Sequence, residues 1–123
     1  MSKAKKRILI IEDEVNIANA QKMILGDEFH VSVAYDGESG LEKIRELKPD
    51  LIVLDLMLPN RGGYDVCFSM RQDPELQDIK VLMVTALNQQ IDKNKGVMVG
   101  ADEYLTKPFE PEQLLSAVRK LLS

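Results

Sequence analysis

The chain has 123 residues, 45% hydrophobic and 29% charged, with 16 Lys and Arg against 20 Asp and Glu for a net charge of -4. That length and balance fit one globular domain, residues 1–123, and exclude a disordered chain, while the acidic balance removes the broad basic face that nucleic acid requires. A single cysteine excludes an internal disulfide and no run of about 20 apolar residues marks an export signal or membrane span, so a cytoplasmic location with no membrane association and no direct nucleic-acid binding is expected.

Lys3, Lys5, Lys6 and Arg7 form a short basic leader with no interleaved aromatics and are read as a solvated lead-in to the first strand. That strand is "ILII" (8–11), continuous enough to be covered on both faces. Ile17, Ala20 and Ile24 are spaced for one face of a first helix, with Gly26 as its stop. "HVSVAYD" (30–36) alternates and suits an edge strand; Leu41 and Ile44, after Gly37, mark a second helix. "LIVL" (51–54) is a second continuous run, and Val66, Cys67 and Met70 after Gly63 give a third helix. "VLMV" (81–84) is the fourth strand. The polar stretch "NQQIDKNKGVMVG" (88–100) makes a weak fourth helix, with Gly96 inside and chiefly Ile91 and Met98 for a core. It reads equally as an element that shifts at low cost or as a solvated surface helix. "DEYLTK" (102–107) is mixed and suits the other edge. Pro111 then opens a fifth helix striped by Leu114, Leu115, Val118, Leu121 and Leu122. Met23, Met70, Met83 and Met98 are expected to pack, Cys67 to lie in the core, and the lone His30 to bind no metal.

Strand and helix alternate five times, which predicts an α/β fold: a five-stranded parallel sheet with right-handed crossovers, order 2-1-3-4-5, flanked by five helices. The topological switch point then falls between strands one and three, where open sheets bind ligands at the carboxyl ends of the strands. Asp55 ends strand three there, and Glu12 and Asp13 end strand one.

Three carboxylates converging without a basic neighbour repel one another, and a divalent cation is a natural compensation; magnesium suits such an oxygen-rich site. The alternative, equally open for this stretch alone, is that Asp13 and Glu14 favour the start of the first helix. Thr85 and Lys107, ending strands four and five, project to the same rim. A carboxylate nucleophile, a metal, a hydroxyl and a cation together suit phosphoryl transfer, with Asp55 forming an acyl phosphate.

Taken together, Glu12 and Asp13, "DLMLPNRGG" from Asp55 with Pro59 and Gly63, Thr85 before Ala86, "GADEY" (100–104) and Lys107 before Pro108 resemble the receiver domain of bacterial two-component response regulators, of the chemotaxis-regulator kind, over nearly the whole chain. The resemblance implies a flavodoxin-like receiver fold and a signalling switch rather than a metabolic enzyme. It implies that Asp55 accepts a phosphoryl group from a sensor histidine kinase or phosphotransfer protein. Glu12, Asp13, Asp55 and the backbone carbonyl of Met57 would hold magnesium, or manganese in its place. Lys107 and Thr85 would contact phosphoryl oxygens beside the small Ala86. Tyr104 would turn inward as Thr85 moves, switching the face of helix four, strand five and helix five toward a downstream protein or effector domain. By the same resemblance the bond before Pro108 is expected to be cis.

Three departures stand out. Met57 and Leu87 are apolar where polar side chains would orient a hydrolytic water, so slow self-dephosphorylation is expected. Gly62 replaces a common acidic residue, with Asn60 and Gly62 expected to keep a turn. Competing classes fare worse: aspartyl phosphohydrolases need a second aspartate where Met57 stands, and a flavin phosphate would meet the acidic "EDEVN" loop. Ending after the fifth helix, the chain reads as a stand-alone receiver or the receiver piece of a longer regulator, as a monomer or a phosphorylation-dependent homodimer.

Overall fold

The computed structural model describes residues 5–86 and 100–123. In chain order these form β1 (Arg7–Ile11), α1 (Val15–Leu25), β2 (His30–Ala34), α2 (Gly37–Leu47), β3 (Leu51–Asp55), α3 (Gly63–Arg71), a 3-10 turn (Pro74–Leu76), β4 (Lys80–Ala86), β5 (Glu103–Lys107) and a C-terminal helix (Pro111–Leu122). The strands make one parallel sheet in the order β2-β1-β3-β4-β5, as expected. Four α-helices occur among the described residues; the expected helix over 88–100, with Ile91, Met98 and Leu87 beside it, lies outside them.

The continuous apolar runs are explained by two cores, one on each face of the sheet. Leu9, Ile11, Ile52, Leu54, Val81 and Met83 pack with Leu41, Ile44, Val66, Cys67 and Met70 from α2 and α3. Their strand neighbours Ile8, Ile10, Leu51, Val53, Leu82 and Val84 pack on the other face with Ala18, Leu25, Leu114 and Val118 from α1 and the C-terminal helix. Because successive strand residues face opposite layers, a polar residue at any of Ile8–Ile11 or Leu51–Leu54 would meet one core or the other. Each such side chain contributes roughly 1.5–3 kcal/mol by burial.

Two packing expectations need correction. The buried positions of α1 are Ala18, Gln21 and Leu25, whereas Ile17 and Ile24 are half-buried and Ala20 is exposed. The inward stripe is therefore turned from the one that the isoleucines mark, because the sheet sets which face is covered. Met23 is 80% exposed and does not pack, although Met70 and Met83 do.

Polar ties close the ends of the elements. Asp36 caps α2 by accepting from the Ser39 amide at 2.8 Å. In the C-terminal helix the Gln113 side chain accepts from the Glu110 amide at 2.7 Å, and Pro111 occupies the first turn. At the base of the sheet the Arg71 guanidinium donates to the carbonyls of Gln77 and Ile79, both at 2.7 Å, to the Gly100 carbonyl at 2.8 Å and to Asp102 at 3.1 Å. Gly100 has φ +95° and lies so close to Arg71 that an added Cβ would fall 2.7 Å from Nε, so both backbone and space favour glycine.

Candidate phosphoacceptor site

The parallel register brings the expected residues to one rim. Asp55 is paired with Val84, Thr85 with Thr106 and Ala86 with Lys107, and Glu12 follows the last residue of β1, whose neighbour is Leu54. Glu12, Asp55 and Thr85 are all buried, Asp13 is exposed, and one carboxylate oxygen from each of Glu12, Asp13 and Asp55 lies within 4.8 Å of the others.

Lys107, expected at this rim, is in direct contact with two of the three carboxylates. The Lys107 ammonium donates to Glu12 Oε1 at 2.5 Å and to Asp55 Oδ2 at 3.3 Å. The second oxygen of each buried carboxylate accepts from the backbone amide two residues on, Glu12 from Glu14 at 3.1 Å and Asp55 from Met57 at 3.1 Å. Both acids are thus held by the same device, a lysine on one oxygen and a local turn on the other, which resolves the cost of a charge at the end of a buried strand.

Burial alone would lower the Lys107 ammonium, but its hydrogen bond to Glu12 and the charges of Asp55 and Glu12 outweigh that, and the net shift is upward. Asp13 is pushed up, by desolvation first and then by a hydrogen bond with, and the charge of, Glu12. Glu14 precedes α1 as its N-cap residue, yet its side chain makes no capping hydrogen bond, so for Glu14 the helix-start alternative lacks its main contact.

Thr85 Oγ1 is buried and has no hydrogen-bond partner among the described residues. Ala86 is half-buried, Tyr104 is half-buried against the core layer that holds Met83, its register partner, and the Met57 side chain is 65% exposed. Leu87 lies outside the described residues. The Lys107–Pro108 peptide bond is cis.

Beyond Asp55 the chain turns tightly. Gly63 donates to the Leu56 carbonyl at 2.9 Å, and a Cβ on it would fall 2.5 Å from the Asp55 carbonyl oxygen and 2.8 Å from Leu56 Cα, so glycine is a steric requirement of this turn. Asn60 takes the left-handed conformation at φ 69°, whereas Gly62, at φ -68°, adopts one open to any residue. Arg61 was not among the expected residues, yet its side chain reaches α2 and α3 around this turn. Its only signal was a charged residue beside glycines.

A family model described as "Response regulator receiver domain" matches residues 8–119. The DNA-binding response regulator MtrA of Mycobacterium tuberculosis is 39% identical over 123 residues, covering 99% of this chain and 53% of that protein. The DNA-binding dual master transcriptional regulator RpaA of Synechocystis is 48% identical over 117 residues, 94% of this chain and 48% of that protein. The chain therefore spans about half the length of the curated relatives it matches. Among solved structures, the chemotaxis response regulator CheY4 of Vibrio cholerae superposes with a TM-score of 0.90 at 28% identity, covering 96% of this chain and 99% of that one. With its sheet order, its rim of carboxylates and lysine, and a family match over nearly all its length, the chain belongs to the response regulator receiver domains of two-component systems.

Proposed function

We propose that Asp55 accepts a phosphoryl group from a phosphohistidine on a sensor kinase or phosphotransfer protein. The observation that carries this is the convergence on one rim of Asp55, two further carboxylates, the Lys107 ammonium and the unpaired buried hydroxyl of Thr85. An Asp55 oxygen attacks phosphorus, the P–N bond breaks, and its electron pair leaves with the imidazole, giving an acyl phosphate. Lys107, already in contact with Asp55, neutralises one phosphoryl oxygen. Thr85 Oγ1 gains in the acyl phosphate the partner it lacks, and Ala86 leaves room for the group.

Glu12, Asp13 and Asp55 fit a hard divalent cation, since three carboxylate oxygens so close together form an oxygen-only donor set. With the carbonyl of Met57 they would hold magnesium or manganese, which supplies positive charge to the phosphoryl oxygens. The exposed, apolar Met57 side chain and Leu87 offer no group to orient a hydrolytic water, so the acyl phosphate is long-lived. Tyr104 transmits the event by turning inward behind Thr85, altering the β5 and C-terminal-helix face for a downstream protein or effector domain. No helix among the described residues is long and apolar enough to cross a membrane, in keeping with a cytoplasmic switch.

Intact mass after incubation with magnesium and acetyl phosphate tests the reading. The parent gains one hydroxylamine-labile phosphoryl group and Asp55→Asn gains none. Equal gain by both would place the acceptor elsewhere.

A further inference from the structure

The segment that leaves Asp55 carries Met57, whose amide is bonded to Asp55 Oδ1. Burial holds its first residue, Leu56, in the core, but beyond that Met57, Pro59, Asn60 and Gly62 are exposed and only Leu58 packs part of its surface on the core. Polar ties hold the rest. The Pro59 carbonyl accepts from the Gly37 amide at 3.3 Å and from the Arg61 amide at 2.8 Å. A Cβ on Gly37 would collide with the Arg61 carbonyl, so the loop lies directly on the start of α2. Asp36, the residue that caps α2, is held below its ordinary range first by the Ser39 amide and last by the Asn60 side chain of this loop.

Arg61 spans the whole arrangement. Its Nε donates to Glu38 Oε2 on α2 at 2.9 Å, and its Nη1 donates to Ser69 Oγ on α3 at 3.0 Å, with Asp65 Oδ1 3.8 Å away. A planar guanidinium used on two sides in this way fixes direction as well as distance, which an ammonium does not.

We infer that Arg61 is a positioning residue for the chemistry at Asp55. Resting on the phosphoacceptor reading, this assigns it the task of clamping the loop between α2 and α3 so that the Met57 amide stays on Asp55 and the Met57 carbonyl, which would be a ligand of the cation, keeps its place. It touches no reacting atom and acts through the backbone. A merely structural ion pair on this half-exposed surface would affect stability alone.

The test measures magnesium affinity by titration calorimetry, and phosphorylation by acetyl phosphate across magnesium concentrations, for the parent, Arg61→Ala, Arg61→Lys and Glu38→Gln. Arg61→Ala is expected to weaken magnesium binding about tenfold, the low end for loss of a group that orients a ligand. Its phosphorylation rate should return to within about twofold of the parent at saturating magnesium, because the acceptor and Lys107 are untouched. Arg61→Lys and Glu38→Gln, each keeping part of the clamp, should fall between. Unchanged magnesium affinity in Arg61→Ala with a lowered thermal midpoint would overturn the inference while leaving the acceptor reading intact. A parent that neither binds magnesium nor gains a phosphoryl group would overturn both.

Discussion

Lys107→Met removes the cation that both buried carboxylates share. Lys107 is 21% exposed at its side chain and Glu12 only 2%, so the variant leaves a buried carboxylate with just the Glu14 amide as support. Breaking a buried pair costs about 3–5 kcal/mol, and the partial exposure of Lys107 favours about 3. For a domain of this size that is a fall of roughly 10 °C in thermal midpoint. The assay is thermal unfolding in chelator and in saturating magnesium, read by circular dichroism. Magnesium should raise the midpoint of Lys107→Met more than that of the parent, because the variant presents three carboxylates with no lysine among them. The double variant Glu12→Gln/Lys107→Met should regain most of the loss in chelator, since a neutral amide needs no counter-ion. An unchanged or higher midpoint for Lys107→Met in chelator would refute the counter-ion assignment. The pH dependence has a definite sign: the Lys107 ammonium lies above its ordinary 10.5, so its contribution is complete below that value and disappears as pH rises through the higher folded value.

Other expectations follow from single groups. Asp13 lies above its ordinary 3.8, so its charge costs stability as pH rises through that range; Asp13→Asn should raise the metal-free midpoint at neutral pH and change little in acid, and a lowered neutral midpoint would contradict the crowding of Asp13 by Glu12. Thr85→Val removes a buried hydroxyl without a partner among the described residues, so denaturant unfolding should show no loss, or a gain of about 1 kcal/mol, whereas a loss above about 2 kcal/mol would mean that the hydroxyl is satisfied. Burial pushes the Cys67 thiol up to about 11, so at neutral pH a thiol reagent should label it only as fast as the domain unfolds; rapid labelling of the native protein would contradict its packing.

The sheet was legible in the sequence because its central strands allow no ambiguity. "ILII" and "LIVL" are apolar at every position, and only a sheet covered on both faces buries them all. The five candidates Glu12, Asp13, Asp55, Thr85 and Lys107 were legible because each lies within two residues of the carboxyl end of a strand in one parallel sheet. What was not legible was pairing. Lys107 and Glu12 are 95 residues apart, and nothing local to either says that they touch. The face of α1 was misread because Ile17 and Ile24 are larger than Ala18 and more apolar than Gln21, yet the covering helices and strands accept Ala18 and Gln21. The role of Arg61 was hidden for the same reason: its partners lie on two other helices, and its side chain shows no periodicity to mark it.

The Arg71 cluster at the base of the sheet bears on the rim at its top. Asp102 accepts from the Val81 amide at 2.7 Å and its own amide donates to the Val81 carbonyl at 3.0 Å, so it locks to β4 just before β5 begins, with Arg71 gripping its carboxylate and the Gly100 carbonyl. From that fixed origin the strand counts upward, residue against residue, until Lys107 stands beside Ala86. A slip of one residue would carry the lysine about 3.3 Å along the strand and turn it to the opposite face. Arg71 and Asp102 thus serve as the zero mark of a ruler: they never meet the acceptor, but they decide where its lysine arrives.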